Sequence, residues 1–313
     1  MNRLVVLTVL VACGLSIAIV LAQPTEGAIR IEKVKDTLYI VTGGRGTSAQ
    51  GNGVAGNTTV FVADSGVVLI DTKYGGYGQA ILDQVKSVTN KPITTIINTH
   101  THADHTGGNS EFPRTVEFVA HENTRTNMAR MDEFKGQKAA FLPSRTFKDS
   151  MSLLAGTDRI DLRYFGAGHT NGDAVIVFPS LRTVVMGDLF ARKWAPLVDS
   201  ENGGSATAFP QTLASAVRSI KDVDTVITGH ATTTLGSGAG VSFVRSNPVM
   251  TWADLEEYAG FMRDFVAAAQ AAQKAGRTAA DAAKSLNLPA KYKNYNMARA
   301  AEDVQKVYDE SKR

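Results

Sequence analysis

The apolar positions of the chain change their spacing along its length, and each spacing predicts a different kind of element. Short apolar runs bounded by turn residues predict β-strands at residues 29–34, 38–42, 58–63, 67–70, 93–97, 118–120, 159–165, 174–178, 183–186 and 226–228. Apolar residues three or four positions apart predict helices around 81–88 and 213–220. Because hairpins come first and strand–helix alternation follows, we predict one mixed α/β domain over residues 28–232.

After residue 232 the apolar positions have helical spacing only. Thr251 and Asp254 have the spacing of a capping box, Gly276 is placed to end this helix, and Thr278 is placed to start a second. The apolar face of the first helix is Trp252, Leu255, Tyr258, Ala259, Met262, Phe265 and Val266, and a third helix is marked by Met297, Val304, Val307 and Tyr308. We predict a C-terminal helical extension over residues 248–313 that packs on the main domain.

The first 22 residues have the pattern of a secretion signal. Residues 1–3 carry positive charge, residues 4–21 are apolar, and Ala22 ends a plausible cleavage site before Gln23. Two alternatives stay open, because the sequence around Cys13 resembles a lipoprotein acylation box and an apolar run of about 18 residues is long enough to remain as a membrane anchor. We predict a signal peptide over residues 1–22 and an exported protein, periplasmic or secreted, with no stable membrane insertion after processing.

Composition limits the classes of partner. With 313 residues and 43% hydrophobic content the chain can bury a large core, and its net charge of +3 is too small to indicate nucleic-acid binding. Cys13 is the only cysteine, so the mature protein is expected to lack disulfides and thiolate metal ligands. We expect a small-molecule substrate as the partner, and the sequence leaves the oligomeric state open.

One short segment concentrates metal-ligating side chains. Residues 98–109 read NTHTHADHTGGN and hold three of the six histidines of the chain. Residues two apart in an extended segment face the same way, so His100 and His102 can aim their imidazoles at one point. Asp104 and His105 lie past the bend and can aim at a second point. The cluster therefore predicts a metal-binding site at the end of a core strand.

Three further side chains of the same kind follow predicted strands. His169 lies in GAGHTNGD, Asp188 in VVMGDLF and His230 in VITGH. Turns at strand ends are where a rigid scaffold displays functional groups, so these turns can converge with the histidine cluster at one edge of the sheets. His121, in VAHENT, closes another strand, and we interpret it as a residue outside the ligand set or at a helix start.

The ordered set of these motifs resembles the five motifs of the metallo-β-lactamase superfamily, with Asp71 in LIDT as the first. The resemblance implies an α/β fold, a four-layer αββα sandwich with metal at one edge between the sheets. It also implies that Asp188 bridges two metals and that Asp71 orients ligands from behind. The first metal would be held by His100, His102 and His169, and the second by Asp104, His105 and His230.

The donor set also indicates which metal binds and what it does. Neutral imidazoles and carboxylates suit zinc, and three protein ligands per ion leave a position open for water, as catalytic zinc sites do. Iron and manganese accept the same donors and stay open as alternatives. We predict two zinc ions per chain that activate a water molecule for attack on a carbonyl, with Asp104 as the catalytic residue that orients the proton of this nucleophile.

The class of substrate follows from the resemblance only in part. β-Lactamases of this superfamily usually have Cys or Ser where this chain has Asp188, whereas Asp there resembles the thioesterase, lactonase and nuclease branches. We predict an exported dinuclear metal hydrolase of a carboxylic ester, thioester, lactone or lactam bond. The alternatives are a class B-like β-lactamase and a non-catalytic metal-dependent ligand-binding protein.

Several residues give weaker signals near these motifs. Arg192 and Lys193 can anchor a substrate carboxylate, although solvated loop charges are the favoured interpretation. Residues 43–56 are rich in glycine, which allows a mobile lid but lacks the context of a phosphate-binding loop. Cleft lining and ordinary packing are equally open interpretations for Tyr74, Tyr77 and Trp194.

Overall fold

Two mixed β-sheets lie face to face, and helices cover both outer faces. The computed structural model describes residues 28–48, 51–235, 242–245 and 247–312. The predicted signal peptide, with Cys13, and its cleavage site before Gln23 lie outside the described residues. Strands and helices are numbered below in chain order.

The first sheet has seven strands in the order β1-β2-β5-β6-β7-β8-β9. Neighbouring strands are antiparallel from β1 to β6 and parallel from β6 to β9. The strands are β1 (Ile29–Lys35), β2 (Leu38–Gly43), β5 (Thr58–Ala63), β6 (Gly66–Ile70), β7 (Ile93–Ile97), β8 (Glu117–His121) and β9 (Arg145–Phe147).

The second sheet has six strands in the order β10-β11-β12-β13-β14-β17, of which only β13 and β14 pair in parallel. These strands are β10 (Ser150–Leu153), β11 (Ile160–Tyr164), β12 (Ala174–Phe178), β13 (Thr183–Val185), β14 (Thr225–Ile227) and β17 (Val249–Thr251). Two separate hairpins complete the strands: β3 (Arg45–Ser48) with β4 (Gly51–Val54), and β15 (Thr232–Leu235) with β16 (Ser242–Arg245).

Helices lie in the connections and at the C-terminal end. They are α1 (Gly78–Lys86), α2 (Ala103–Thr106), α3 (Glu122–Met128), α4 (Phe209–Ser219), α5 (Trp252–Lys274), α6 (Ala279–Lys284) and α7 (Ala300–Glu310). Across the described ranges, none of these helices has both the length and the apolar character needed to cross a membrane.

Alternation along the strands builds the layers. In β6, Val68 and Ile70 pack in the core between the sheets, whereas Val67 and Leu69 pack in the outer layer with α1. In β12, Ile176 and its alternate neighbours face the first sheet, while Val175 and Val177 face the helices on the other side. Both sheets are therefore buried on two faces, and the predicted αββα arrangement of layers is confirmed.

The prediction that only helices follow residue 232 is wrong, because β15, β16 and β17 lie there. Each is only three or four residues long and lacks a readable alternation of apolar and polar positions. β17 lies within the predicted extension but pairs with β14 as the edge strand of the second sheet. Similarly, residues 43–56, predicted as a flexible glycine-rich stretch, contain the hairpin β3–β4, whose tip lies outside the described residues.

The C-terminal helices cover the outer face of the second sheet. The capping box at Thr251 and Asp254 is present, and α5 buries Tyr258, Phe261 and Phe265 in one cluster with α4, α6 and α7. The prediction that the apolar stripe packs on the main domain is therefore confirmed. The boundaries of the two predicted regions stay predictions.

A buried acid in this helical layer predicts a pH-dependent stability. Asp303 in α7 is 2% exposed, and neither carboxylate oxygen has a hydrogen-bond partner among the described residues. Burial raises the pKa of Asp303 to about 8, with Glu302 acting in the same direction and Lys306 and Arg299 against it, while Tyr258 of α5 lies nearby. In the unfolded chain the carboxyl of Asp303 ionises near pH 4. Asp303 therefore lowers the free energy of unfolding progressively as the pH rises from about 4 to about 8.

We expect Asp303→Asn to raise the free energy of unfolding at pH 8 by on the order of a few kcal/mol, because the variant no longer has to keep a proton that the unfolded chain releases. The gain should shrink towards zero as the pH falls to about 4, where both states of the natural chain are protonated. Urea unfolding of both proteins at pH 4.5, 6 and 8 measures it. A gain of equal size at every pH would show that the ionisation of Asp303 is not its cause.

Candidate metal centre

The ends of the core strands bring the candidate ligands to one edge between the sheets. β6 ends one residue before Asp71, and the segment after β7 carries His100. In the second sheet, β13 leads to Asp188 and β14 to His230. His169 lies in the connection between β11 and β12. Because β6 and β7, like β13 and β14, pair in parallel, their carboxyl ends lie at the same edge of each sheet.

One group of three imidazoles forms the first potential site. The ligand atoms of His100, His102 and His169 lie within 4.8 Å of one another. His169 Nε2 is 2.9 Å from His102 Nδ1, and the buried His100 Nε2 has no hydrogen-bond partner in the part of the chain that the structure describes. Burial, together with the neighbouring imidazoles, lowers the pKa of His100 well below its usual value and that of His169 to about 4. Both rings are therefore neutral and have a lone pair available for a cation.

A second group lies beside the first. His230 Nε2 is 3.3 Å from Asp104 Oδ2 and 3.3 Å from His105 Nε2, and His105 Nε2 is 3.5 Å from Asp104 Oδ2. These three side chains also form a group that can hold a metal ion. His105 is fully buried, whereas Asp104 keeps 17% of its side chain exposed.

Asp188 lies between the two groups. Its Oδ1 is 3.6 Å from His105 Nε2, and its Oδ2 is 3.3 Å from His230 Nε2 and 3.8 Å from His169 Nε2. The carboxylate also forms a potential metal site with His100 and His105. Its buried Oδ1 has no hydrogen-bond partner in the described ranges. Asp188 is thus the residue that faces members of both groups.

These distances fit metal ions. A tetrahedral ion with bonds of about 2.1 Å holds its ligand atoms roughly 3.4 Å apart, and the contacts above range from 2.9 to 3.8 Å. Two buried ligand atoms, His100 Nε2 and Asp188 Oδ1, have no hydrogen-bond partner within the described residues, a cost that coordination would remove. The donors are nitrogen and oxygen only. The residues present therefore fit divalent metal, and all seven predicted ligands are brought together.

Comparison with known proteins gives the family. The model of the metallo-beta-lactamase superfamily matches residues 51–230, which is more than half of the chain and includes all seven candidate ligands. The chain belongs to the metallo-β-lactamase superfamily. The C-terminal helices α5, α6 and α7 lie beyond the matched residues.

Curated relatives of this superfamily member are distant. The chain is 25% identical over 204 residues to a metallo-beta-lactamase type 2 of Elizabethkingia meningoseptica, covering 64% of this chain and 78% of the relative. It is 29% identical over 167 residues to the 2,4-dinitroanisole O-demethylase subunit alpha of Nocardioides sp. (strain JS1661), covering 52% of this chain and 47% of that one. The names of these two relatives describe different reactions.

A solved structure supports the same fold. The metallo-beta-lactamase from Pontibacter korlensis matches with a TM-score of 0.59 and 19% identity, over 75% of this chain and 99% of that chain. At this identity the likeness concerns the fold alone. It agrees with the two facing sheets and their helical layers.

Asp71 lies behind the second group. Its Oδ2 is 2.7 Å from His105 Nδ1, and its carboxylate accepts hydrogen bonds from the backbone N–H and the hydroxyl of Thr99. The backbone of Asp71 has a φ of 64°, an unusual left-handed conformation for a residue other than glycine. This geometry suits the orienting role that the superfamily motifs imply for Asp71.

The structure also brings in residues that sequence reasoning missed. Asp199 Oδ2 is 2.7 Å from His102 Nε2, and the carbonyl oxygen of Leu197 is 2.7 Å from His169 Nδ1. With these partners on the outer side, His102 Nδ1 and His169 Nε2 are the ring nitrogens that face the cluster. No motif or strand end marks Asp199 in the sequence, and 97 positions separate it from His102.

A buried lysine fixes the base of the hairpin β3–β4. Lys73 Nζ donates hydrogen bonds to the carbonyl oxygens of Gly56 (2.6 Å) and Gly43 (3.1 Å), one at each end of the hairpin. Burial lowers the pKa of Lys73 to about 7, against the attraction of Asp71 and Asp104. Gly56 packs against the ring of His105, where a Cβ atom would overlap the imidazole. The hairpin is therefore held beside the second group of ligands.

The cationic candidates have different roles from each other. Lys193 Nζ forms ion pairs with Asp254 (2.7 Å) and Glu257 (2.9 Å), so it holds α5 in place. The guanidinium of Arg192 lies over the ring of Trp194, 4.3 Å from its centroid, and half-buried. Lys193 is therefore ion-paired rather than a solvated loop charge, which is the interpretation that the sequence favours. A contact of Arg192 with substrate stays an open alternative.

The remaining candidates also find their places. Tyr77 packs at the hairpin, where its hydroxyl accepts from the backbone N–H of Arg45 and donates to the Arg45 carbonyl. Tyr74 is half-buried near Asp104 and Asp188, whose negative charges together with burial raise its pKa. His121 caps the N-terminus of α3 by accepting from the N–H of Asn123, so it is a helix-start residue as interpreted.

Gly229 gives a test of the space around Asp188. A Cβ atom at Gly229 would overlap Asp188 Oδ1, so Gly229→Ala should displace this carboxylate from its position between the two groups. We expect metal binding to weaken about 10- to 100-fold, the usual cost of disturbing ligand orientation. Gly75→Ala is the matched control, because its nearest neighbour would lie at 3.4 Å, an ordinary contact. Equal metal affinity of both variants in a chelator competition would contradict this role of Gly229.

Proposed function

We propose that this superfamily member is an exported hydrolase that uses two zinc ions to cleave a carboxylic ester, thioester, lactone or lactam bond. The observation that carries the proposal is the convergence of seven side chains into two groups that share Asp188. Catalytic zinc sites have three protein ligands and an open position, and each group supplies three side chains besides the shared carboxylate.

The assignment of ligands follows the two groups. His100, His102 and His169 would hold one ion, Asp104, His105 and His230 the other, and Asp188 would contact both. When bound, such a pair supplies a strongly acidified water and polarises the scissile carbonyl. Iron and manganese accept the same donors, so the metal content of the protein has to be measured.

The chain itself contributes charge and proton positions. Asp104 is the partly exposed carboxylate of the second group and would orient the proton of the attacking water by accepting a hydrogen bond from it. Asp71 and Asp199 accept the outer N–H groups of His105 and His102, which leaves the inner nitrogens aimed at the cluster. Thr99 and His100 are both buried at this edge of the sheets.

The experiment for this proposal combines metal analysis with a substrate panel. Purified protein should contain two metal ions per chain and should turn over at least one of a panel of aryl esters, thioesters, lactones and β-lactams. Because one relative is named an O-demethylase, 2,4-dinitroanisole belongs in the panel. Hydrolysis of β-lactams in preference to esters would favour the alternative of a class B-like β-lactamase. Two metals without turnover of any compound would favour a metal-dependent ligand-binding protein.

The N-terminal pattern supports export, and it gives a prediction of its own. We expect the mature protein to begin at or near Gln23, because residues 1–22 have the charge, apolar run and small residues of a cleaved signal. N-terminal sequencing and intact mass of the protein recovered from its natural host measure this. An uncleaved segment, or a lipid on Cys13, would contradict it.

A further inference from the structure

The loop of residues 191–208, here named the site loop, supports two of the candidate ligands from outside. Asp199 faces His102 Nε2 and Leu197 faces His169 Nδ1, as described above. In addition, the backbone N–H of Asp199 donates to the carbonyl oxygen of His169 at 2.8 Å. The position of the site loop therefore decides how His102 and His169 are oriented.

The C-terminal helix holds this loop through a carboxylate. Glu310, near the end of α7, accepts hydrogen bonds from the backbone N–H groups of Ala206 (2.8 Å) and Thr207 (2.9 Å). Its Oε2 also accepts from the hydroxyl of Ser205 at 2.7 Å and from the hydroxyl of Thr207. A carboxylate that accepts several hydrogen bonds from one loop fixes that loop more firmly than neutral acceptors would.

A second contact reaches the centre of the loop. Lys306 Nζ, one turn earlier in α7, donates to the carbonyl oxygen of Val198, which lies between Leu197 and Asp199. The segment before α7 adds backbone bonds, since the N–H of Ala195 donates to the carbonyl oxygen of Asn296 at 2.9 Å. These contacts span most of the site loop.

We propose that α7 is a clamp on the metal centre, in which Glu310 and Lys306 act as positioning residues for His102 and His169. The clamp lies beyond residues 51–230, the part of the chain that matches the superfamily. The inference rests on the proposed function, because it assumes that His102 and His169 bind metal.

The outer hydrogen bonds explain how a clamp changes metal affinity. When Asp199 accepts the Nε2–H of His102, the lone pair of Nδ1 faces the first group, and the Leu197 carbonyl does the same for His169 Nε2. A loosened loop would lose both constraints at once. The second group would be affected less, because Asp71 rather than the site loop orients His105.

Glu310→Gln tests the clamp while preserving its shape. The amide has one acceptor oxygen where the carboxylate has two, so it cannot accept all the hydrogen bonds from Ser205, Ala206 and Thr207, and the loop should be released. Asp309→Asn is the matched control, because the carboxylate of Asp309 accepts hydrogen bonds from Gln305 and Lys312 of the same C-terminal segment. Lys306→Gln is the second variant and tests the loop through Val198.

Residue-resolved hydrogen exchange of the metal-free proteins gives the first readout. The amides of Ala206 and Thr207 lose their own acceptor in Glu310→Gln, so their faster exchange is uninformative. The diagnostic amide is Asp199, which bonds to His169, and we expect it to exchange about 10-fold faster in both clamp variants and unchanged in Asp309→Asn. Unchanged exchange at Asp199 in both clamp variants would overturn the proposal.

Zinc titration against a chelator gives the second readout. We expect one of two zinc affinities to fall about 10-fold in Glu310→Gln, with the other unchanged. The affected affinity should be the one that Asp199→Asn also lowers. An equal fall of both affinities, or no fall, would overturn the clamp while leaving the proposed function intact. A natural chain that binds no zinc would overturn the proposed function and the clamp with it.

Discussion

Asp188→Ala is expected to lose one of two metal ions and to lower kcat/KM on the best substrate by on the order of 10³-fold or more. Asp188 is the carboxylate that faces both groups of ligands, at 3.8 Å from His169 Nε2 of the first group and 3.3 Å from His230 Nε2 of the second. Its removal takes a negative ligand from both groups. The second group, left with Asp104 and two imidazoles, should lose affinity most. Metal analysis and kinetics on the dialysed variant measure both effects.

Two further variants make this result specific. His100→Ala should weaken the first group instead, because His100 Nε2 is its buried ligand atom. Asp188→Ser should disturb the geometry less while still removing the charge, and it should favour lactam over ester hydrolysis if the resemblance to β-lactamases extends to this position. If Asp188→Ala kept two metals and near-normal turnover, Asp188 would not bridge the ions.

Truncation after about residue 240 is expected to prevent correct folding. It removes the edge strand β17 and all of α5, α6 and α7, and so exposes the buried faces of Leu213, Ala216 and Val226. The deleted helices bury several aromatic side chains, and the loss of one such side chain alone costs about 3 to 5 kcal/mol. The free energy lost with several such side chains exceeds the total free energy of unfolding of an ordinary domain.

The measurement for the truncation is the soluble fraction on expression together with the thermal unfolding profile. Phe261→Ala is the graded control, because it removes one fully buried ring of the same layer and should lower the melting temperature while leaving a folded protein. A truncated chain that is soluble and as active as the full chain would show that the helices are dispensable.

The sequence predicted those parts of the site that follow core strands. Apolar runs locate β6, β7 and β14. A polar residue directly after such a buried strand is expected to lie at the edge of the sheet. The superfamily motifs then ordered Asp71, His100 and His230 along the chain. The convergence itself depends on the pairing of strands far apart in sequence, and the structure supplies it.

The supporting residues were not predictable in the same way. Asp199, Glu310 and Lys306 act through contacts between segments 97 to 108 positions apart, and neither their periodicity nor their neighbours mark them. From the sequence, a lysine in the turn after a strand is expected at the surface. Lys73 is instead fully buried, and its Nζ donates a hydrogen bond to the carbonyl oxygen of Gly56 at the base of the hairpin. Short strands such as β17 were not predicted for a related reason. Three residues are too few to show an alternation of apolar and polar positions, and β17 forms because it pairs with the edge of the second sheet.

The most direct test of the account is anomalous diffraction at the zinc absorption edge from crystals of the zinc-loaded protein. The account predicts two peaks per chain, one among His100, His102 and His169 and one among Asp104, His105 and His230, with the carboxylate of Asp188 contacting both. A single peak, or no peak at this edge of the sheets, would contradict it.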